Sequence, residues 1–277
     1  MSDWIEAALA GGRLGRAAER VVRVVRDEPR FASYASTAEL AERAQVNVAT
    51  VVRAAQALGF AGWPALRLEL RSRYLASLSA GEVLAEHAGA DADPVRAAVR
   101  ADVEGLRLLE DTIDVETVRA LAAAVHGAGR TLVLGSGTFA APGLQLAHAA
   151  STMGYDVQMR DLGGTSLVNA LSKMGEGDLL VACDLWRLPT ALRSAARIAQ
   201  ERSVPVAVIT DRRDSPLVAG AAHVVVVPSE SVSMFPSLTP SMTVVHAVLA
   251  ELARVGGDTV LRAVRDAERL WERAELF

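Results

Sequence analysis

The chain has 277 residues, 51% hydrophobic and 22% charged, with a formal net charge of −4. That composition fits a folded core and excludes a disordered or collagen-like polymer. No run approaches the roughly 18 uncharged apolar residues of a membrane helix, no basic start leads into a signal-like apolar stretch, and the single cysteine, Cys183, excludes an internal disulfide framework. The expected setting is the cytoplasm, with no membrane contact. His87, His126, His148, His223 and His246 are scattered without metal-ligand spacing, so neither a metal nor a cofactor is expected.

Charge is unevenly spread. Residues 1–79 hold 11 arginines against 8 acidic residues, whereas the remainder carries 18 Lys+Arg against 25 Asp+Glu. A basic end on an acidic body suggests an anionic partner met by that end. Apolar spacing predicts a short amphipathic piece over Trp4 to Ala10 and a helix over Arg13 to Arg26. Glu28-Pro29 ends the latter, because the residue before a proline avoids the helical region.

Ser36 to Leu58 reads as two helices around a tight turn. Ser36 with Glu39 makes an S/T-x-x-E capping box, and Leu40, Ala41 and Ala44 form an inner face. Gln45-Val46 makes the turn and Asn47 caps the second helix. In that helix Val48, Val51, Val52, Ala55 and Leu58 are expected inside, with Ala49, Thr50, Arg53 and Ala57 outside. Small outward groups allow close approach to base edges, and Arg53 can reach a guanine or a phosphate. The candidate DNA-contacting residues are Thr37, Asn47, Ala49, Thr50 and Arg53. Gly59 closes the helix, and Pro64 to Leu78 is expected to be helical.

This run, with its tail Leu58-Gly-Phe-Ala-Gly-Trp63-Pro, resembles the N-terminal domain of the RpiR-type bacterial transcriptional regulators. The resemblance implies a helix-turn-helix domain at 1–79, a linker and connecting helix at 80–113, and a sugar-isomerase-type (SIS) domain for effector binding and oligomerisation at 114–277. It also implies that the protein is not an enzyme. Its partners would be a double-stranded DNA operator and a small-molecule effector. A single helix-turn-helix offers few base contacts, so a homodimer or tetramer is expected.

Beyond the acidic stretch at 79–94, helices are expected at about Pro94 to Asp111 and Asp114 to Ala128. The pattern then alternates. Strands are expected at Thr131–Leu134, Tyr155–Met159, Asp178–Cys183, Val204–Thr210 and His223–Val227, with helices between them. Continuous apolar strands alternating with helices predict a five-stranded parallel sheet covered on both faces, flavodoxin- or Rossmann-like. The fold class is α/β overall, with an all-α domain in front. A helix over Pro240 to Val255 follows, and Thr259 to Phe277 carries the stripe Leu261, Val264, Leu270, Trp271.

Ligands of such sheets sit beyond the carboxyl ends of the strands. Three loops there supply the candidate effector residues. Ser136, Gly137 and Thr138 could cradle an anion at a helix start. Gly135-x-Gly137-x-x-Ala140 with Asp161 also approximates a dinucleotide pattern. The second loop holds Asp184, Trp186 and Arg187, where phosphosugar-binding members of the family carry Ser-x-Ser-Gly. Arg187 can pair with a carboxylate or phosphate, while Asp184 repels one. The third loop offers Ser229 and Ser231. The expected effector is therefore a small anionic or polar metabolite, with a phosphosugar not required. An aldose-ketose sugar-phosphate isomerase and a dinucleotide-sensing regulator are the alternative readings.

Overall fold

The computed structural model describes residue 5 and residues 14–87, 93–160 and 163–276. They fall into two units, one running to Thr112 and including Glu230–Pro236, the other made of Ile113–Ser229 and Ser237–Phe277. Most of the Trp4 to Ala10 piece, the start of the Arg13 helix, Asp161 and Phe277 lie outside the described residues.

The first unit is all helical. Helix α1 (Arg16–Asp27) buries Val21 and Val25 and stops before Pro29, which opens α2 (Pro29–Tyr34). The capping box closes α3 (Thr37–Arg43) in both directions, with Glu39 N donating to Ser36 Oγ at 3.2 Å and Ser36 N to Glu39 Oε2 at 2.7 Å. Helix α4 (Val48–Ala57) starts on Asn47, whose Oδ1 accepts from Thr50 N at 2.8 Å. Between α3 and α4, Gln45 adopts φ 51°, and Gly59 takes φ 84° after α4. Helix α5 (Trp63–Ser77) begins on a buried tryptophan, whose Nε1 donates to Ala35 O at 2.9 Å and ties α5 to the chain entering α3. Val21, Leu40, Val51, Ala55, Trp63, Leu66 and Leu70 form one core. Each large side chain buried there contributes on the order of 1.5–3 kcal/mol.

The acidic stretch within the expected linker begins with a helix, α6 (Ala80–His87). Its cause is a second capping box: Ser79 N donates to Glu82 Oε2 at 2.6 Å and Glu82 N to Ser79 Oγ at 3.2 Å. Helix α7 (Pro94–Thr112) buries Ala97 and Leu109 and leaves Val95, Val99 and Val103 exposed. Glu230 in the returning segment accepts from Arg71 Nη1, and the Arg71 guanidinium lies 4.0 Å from the centre of the Tyr34 ring.

The second unit is a three-layer α/β domain. Helix α8 (Val115–Gly127) precedes β1 (Thr131–Leu134). A short 3-10 turn, Gly137–Ala140, then leads into α9 (Ala141–Thr152). There follow β2 (Val157–Arg160), α10 (Gly164–Leu171), β3 (Leu179–Asp184), α11 (Thr190–Glu201), β4 (Val206–Thr210) and β5 (His223–Val226). All pairings are parallel, in the order β2-β1-β3-β4-β5. Every residue of β1, β3 and β4 is buried, which is why these strands read as continuous apolar runs. Helices α10 and α11 cover one face with Leu167, Leu171, Leu192 and Ala196. On the other face α9 approaches closely at Gly143, where a Cβ would stand 2.8 Å from Val133 Cγ1.

The two helices expected after residue 239 follow each other in α12 (Thr239–Arg273), separated by non-helical backbone at Gly257 (φ 47°, ψ −126°). The stripe on its far half is partly covered, with Val264 and Trp271 half-buried. Leu261 is 47% and Leu270 61% exposed, while Val260 is buried.

Candidate DNA interface and effector site

The outward face of α4 presents Asn47, Ala49, Arg53, Gln56 and Ala57 to solvent. Thr50 is corrected: it is 6% exposed, and its Oγ1 donates to Asn47 Oδ1 at 2.9 Å while accepting from Arg53 Nη2 at 3.2 Å. Val48, expected inside, is 49% exposed, and Ala54 is fully buried. The inner face is therefore turned by roughly 70° from the one read off the spacing. Helix α1 packs against α4, and its first turn lies with Thr50 around one cavity. Two residues the spacing left out join this surface. Gln56 lies on the exposed face, and Arg16 lines a cavity of about 450 Å³ together with Thr50, Arg53 and Ala57. Thr37 is half-buried at the start of α3.

Within the second unit, Gly135 follows β1 and Asp184 ends β3. These are neighbouring strands whose connections leave in opposite directions. Such a switch in strand order opens a crevice in doubly wound sheets. The first loop is tightly folded. A Cβ on Gly135 would stand 2.7 Å from Ala140 Cα, and Gly137 adopts φ 53°. The expected helix start is here a four-residue 3-10 turn, so α9 begins only at Ala141 and its N-terminus is displaced from Ser136. Thr138 and Gly137 are exposed and Ser136 half-buried.

Asp184 is 2% exposed, and its Oδ2 accepts from Ser215 Oγ while Oδ1 is buried without a hydrogen-bond partner. Burial raises its carboxyl above the usual value, against the Ser215 hydrogen bond and with the help of the nearby Asp211 charge. The preceding Cys183 thiol is pushed up to about 12 by burial. Trp186 sits at φ 67°, a conformation costing a non-glycine residue on the order of 1–2 kcal/mol. Its N–H donates to Asp211 Oδ2 at 3.1 Å, and the same oxygen accepts from Ser229 Oγ at 2.8 Å. Above this buried layer, the Trp186 ring meets Phe139 edge-on at 6.3 Å and carries the Arg187 guanidinium 4.6 Å from its centre. The fold thus brings the Ser136–Thr138 turn and the Trp186–Arg187 loop together, with Arg187 exposed. Asp184 and Ser229 are turned inward onto Ser215 and Asp211, two residues that sequence reasoning missed because they lie on a loop with no motif. Ser231 belongs to Glu230–Pro236, which groups with the first unit.

Family models match both parts of the chain. Residues 10–77 match the helix-turn-helix domain of the rpiR family. Residues 125–251 match the SIS domain.

The chain joins an rpiR-family helix-turn-helix domain to an SIS domain.

Its SIS domain is similar to the sugar isomerase domain of an RpiR transcription factor from Sphaerobacter thermophilus. The two are 29% identical, with a TM-score of 0.60 over 64% of this chain and 98% of that one. The NanR protein of Vibrio vulnificus, solved with ManNAc-6P, shares the fold over 98% of both chains, at 19% identity and a TM-score of 0.61. No curated protein matches the chain significantly. The helix-turn-helix and SIS pairing is that of transcriptional regulators and not of catalytic isomerases. Among the described residues, no helix is long and apolar enough to cross a membrane, and no group of His, Cys, Asp and Glu could hold a metal ion.

Proposed function

We propose that this chain is a cytoplasmic, ligand-responsive transcription factor. Helix α4 enters the major groove of a double-stranded operator, and two or more copies bind a near-palindromic site. Residues 1–79 read DNA, 80–113 connect, and 114–277 bind the effector and assemble the oligomer. The observation that carries the DNA reading is the outward face of α4. It offers small side chains, two amides and one arginine beside Arg16 and leaves room for a base pair edge.

The effector is a small anionic or polar metabolite held over Ser136, Gly137, Thr138, Trp186 and Arg187. Arg187 supplies the charge, pairing with a carboxylate or phosphate, and the buried Asp184 and Ser229 support the loop from beneath. The likeness to NanR, whose structure holds ManNAc-6P, supports a phosphorylated sugar as one member of that class. The inward-turned Asp184 and the tryptophan at 186 favour a ligand with a different head group.

Selecting bound duplexes from random DNA with the full chain, then measuring affinity for the winning sequence, tests the first part. Arg53→Ala should weaken that affinity by roughly tenfold or more, the value of a lost arginine–base pairing of about 1–3 kcal/mol. Fold and oligomer should be unchanged. Equal affinity at moderate salt would remove Arg53 from the interface.

A further inference from the structure

Strand β2 is an edge of the sheet, and one of its faces is only partly covered. Gln158 stands beside Leu132 in the register and Arg160 beside Leu134, so the four share a face. The two leucines disappear into the cluster that holds Leu167 and Leu171 of α10. Gln158 and Arg160 lie one strand farther out, where that cluster ends. Between α10 and the edge strand is a cavity of about 520 Å³. Buried Leu132 and Met174 give it an apolar floor, and Thr165 and Asn169 of α10 bring a hydroxyl and an amide to its wall. No residue of the Ser136–Thr138 turn or the Trp186–Arg187 loop lines it.

Three cations line the cavity, Arg130, Arg160 and Lys173, and no carboxylate does. They stand in the part of the chain where acidic residues outnumber basic ones. Arg130 is matched by Asp156 at 3.2 Å. Gln158 continues from that carboxylate: its Nε2 donates to Asp156 Oδ1 at 2.7 Å, and its Oε1 accepts from Arg160 Nη2 at 2.9 Å. A neutral amide thus positions Arg160 without cancelling its charge. Among the described residues, neither Arg160 nor Lys173 belongs to an ion pair. Arg160 closes β2 at its carboxyl end, and Lys173 follows α10, which runs back toward the start of the strands. The two charges therefore bracket the cavity lengthwise, with the apolar floor between them. A concave site lined by one sign of charge concentrates its field on what enters, and the volume is ordinary for a small-molecule site, about 300–1,000 Å³.

We propose that the groove between β2 and α10 is a second anion site. It takes a small organic molecule with two separated phosphate groups, one on Arg160 and one on Lys173, its carbon skeleton resting on Leu132 and Met174. The inference does not rest on the reading of the Arg187 loop.

Lys173 is the chain's only lysine, which makes the groove readable by chemistry in the full chain. The aldehyde of pyridoxal phosphate condenses with the Lys173 amine with loss of water, and borohydride reduces the imine to a stable amine. Peptide mass spectrometry then reads the fraction modified at Lys173. Fructose bisphosphate should protect Lys173 at a concentration roughly tenfold below that of fructose monophosphate at matched ionic strength. Equal protection by the two would reduce Lys173 to an ordinary surface lysine and overturn the site. Arg160→Gln should remove the advantage of the bisphosphate while labelling by unphosphorylated pyridoxal stays as it was; an advantage that persists overturns the two-point contact. Arg187→Ala should leave protection intact, and its loss there would merge this groove with the effector loop and overturn a separate site. A duplex oligonucleotide that protects better than the bisphosphate at equal phosphate would assign the groove to DNA instead. Equilibrium dialysis gives a readout without labelling. Lys173→Arg should keep bisphosphate binding and Lys173→Glu should lose it, and equal binding by both variants overturns the proposal.

Discussion

Asp184 is the residue whose surroundings differ most from what its place in the sequence suggests. A carboxylate at the end of a central strand reads as a ligand contact, yet the side chain turns under the loop to Ser215. Burial raises its carboxyl above the 3.8 of an unperturbed aspartate. An acid raised in the folded state holds its proton more tightly there than in the unfolded chain. Its contribution is therefore fully present below about pH 4 and is lost as pH rises through the folded value. Asp184→Asn keeps an acceptor for Ser215 and removes the ionisation. The variant should melt above the parent protein near neutral pH, and the gap should close as pH falls toward about 4. A gap that stays constant across that range would show that ionisation of Asp184 has no part in it.

At the scale of elements, the helix-turn-helix is held by caps and by one strained residue. Gln45 at φ 51° occupies the turn between α3 and α4, where a side chain costs on the order of 1 kcal/mol against glycine. Arg20 Nη2 donates to the Gln45 carbonyl at 3.0 Å, a contact that needs no glutamine side chain. Gln45→Gly should therefore raise the stability of the first unit by about 0.5–1 kcal/mol, measured by urea unfolding. The opposite sign is expected at the cap. Ser36→Ala removes the acceptor for Glu39 N and should cost about 0.5–2 kcal/mol. The kink in α12 is of the same kind. A Cβ on Gly256 would stand 2.5 Å from Tyr155 Oη and 2.3 Å from Val260 Cγ2, so the helix follows the domain surface only with glycine there.

For the whole molecule, effector sensing requires that the ligand bind two arrangements of the protein with different affinity. Arg187 is the exposed cation beside the Ser136–Thr138 turn, and its own anchor is the Trp186 ring. Arg187→Ala should abolish the change in DNA affinity caused by effector and leave ligand-free DNA binding as it was. The comparison is between titrations of operator with and without a metabolite extract fraction that shifts the parent protein. A variant that still responds in full would move the effector away from this loop.

Much of this was legible in the residues themselves. The Ser36–Glu39 box, the Asn47 cap, the Gly59 stop and the unbroken apolar strands act over a few residues, and local hydrogen bonding and burial on both sheet faces leave them few alternatives. The tail from Leu58 to Pro64 carried the family resemblance for the same reason. Other features depended on partners distant in sequence. The true inner face of α4 follows its packing against α1, with Thr50 buried and Val48 exposed. The fate of Asp184 was set by Ser215 and Asp211. Periodicity defines an apolar side only relative to an assumed neighbour, and a charge pattern does not say which carboxylate will be covered. Those outcomes belong to packing across the chain, and only the tertiary structure decided them.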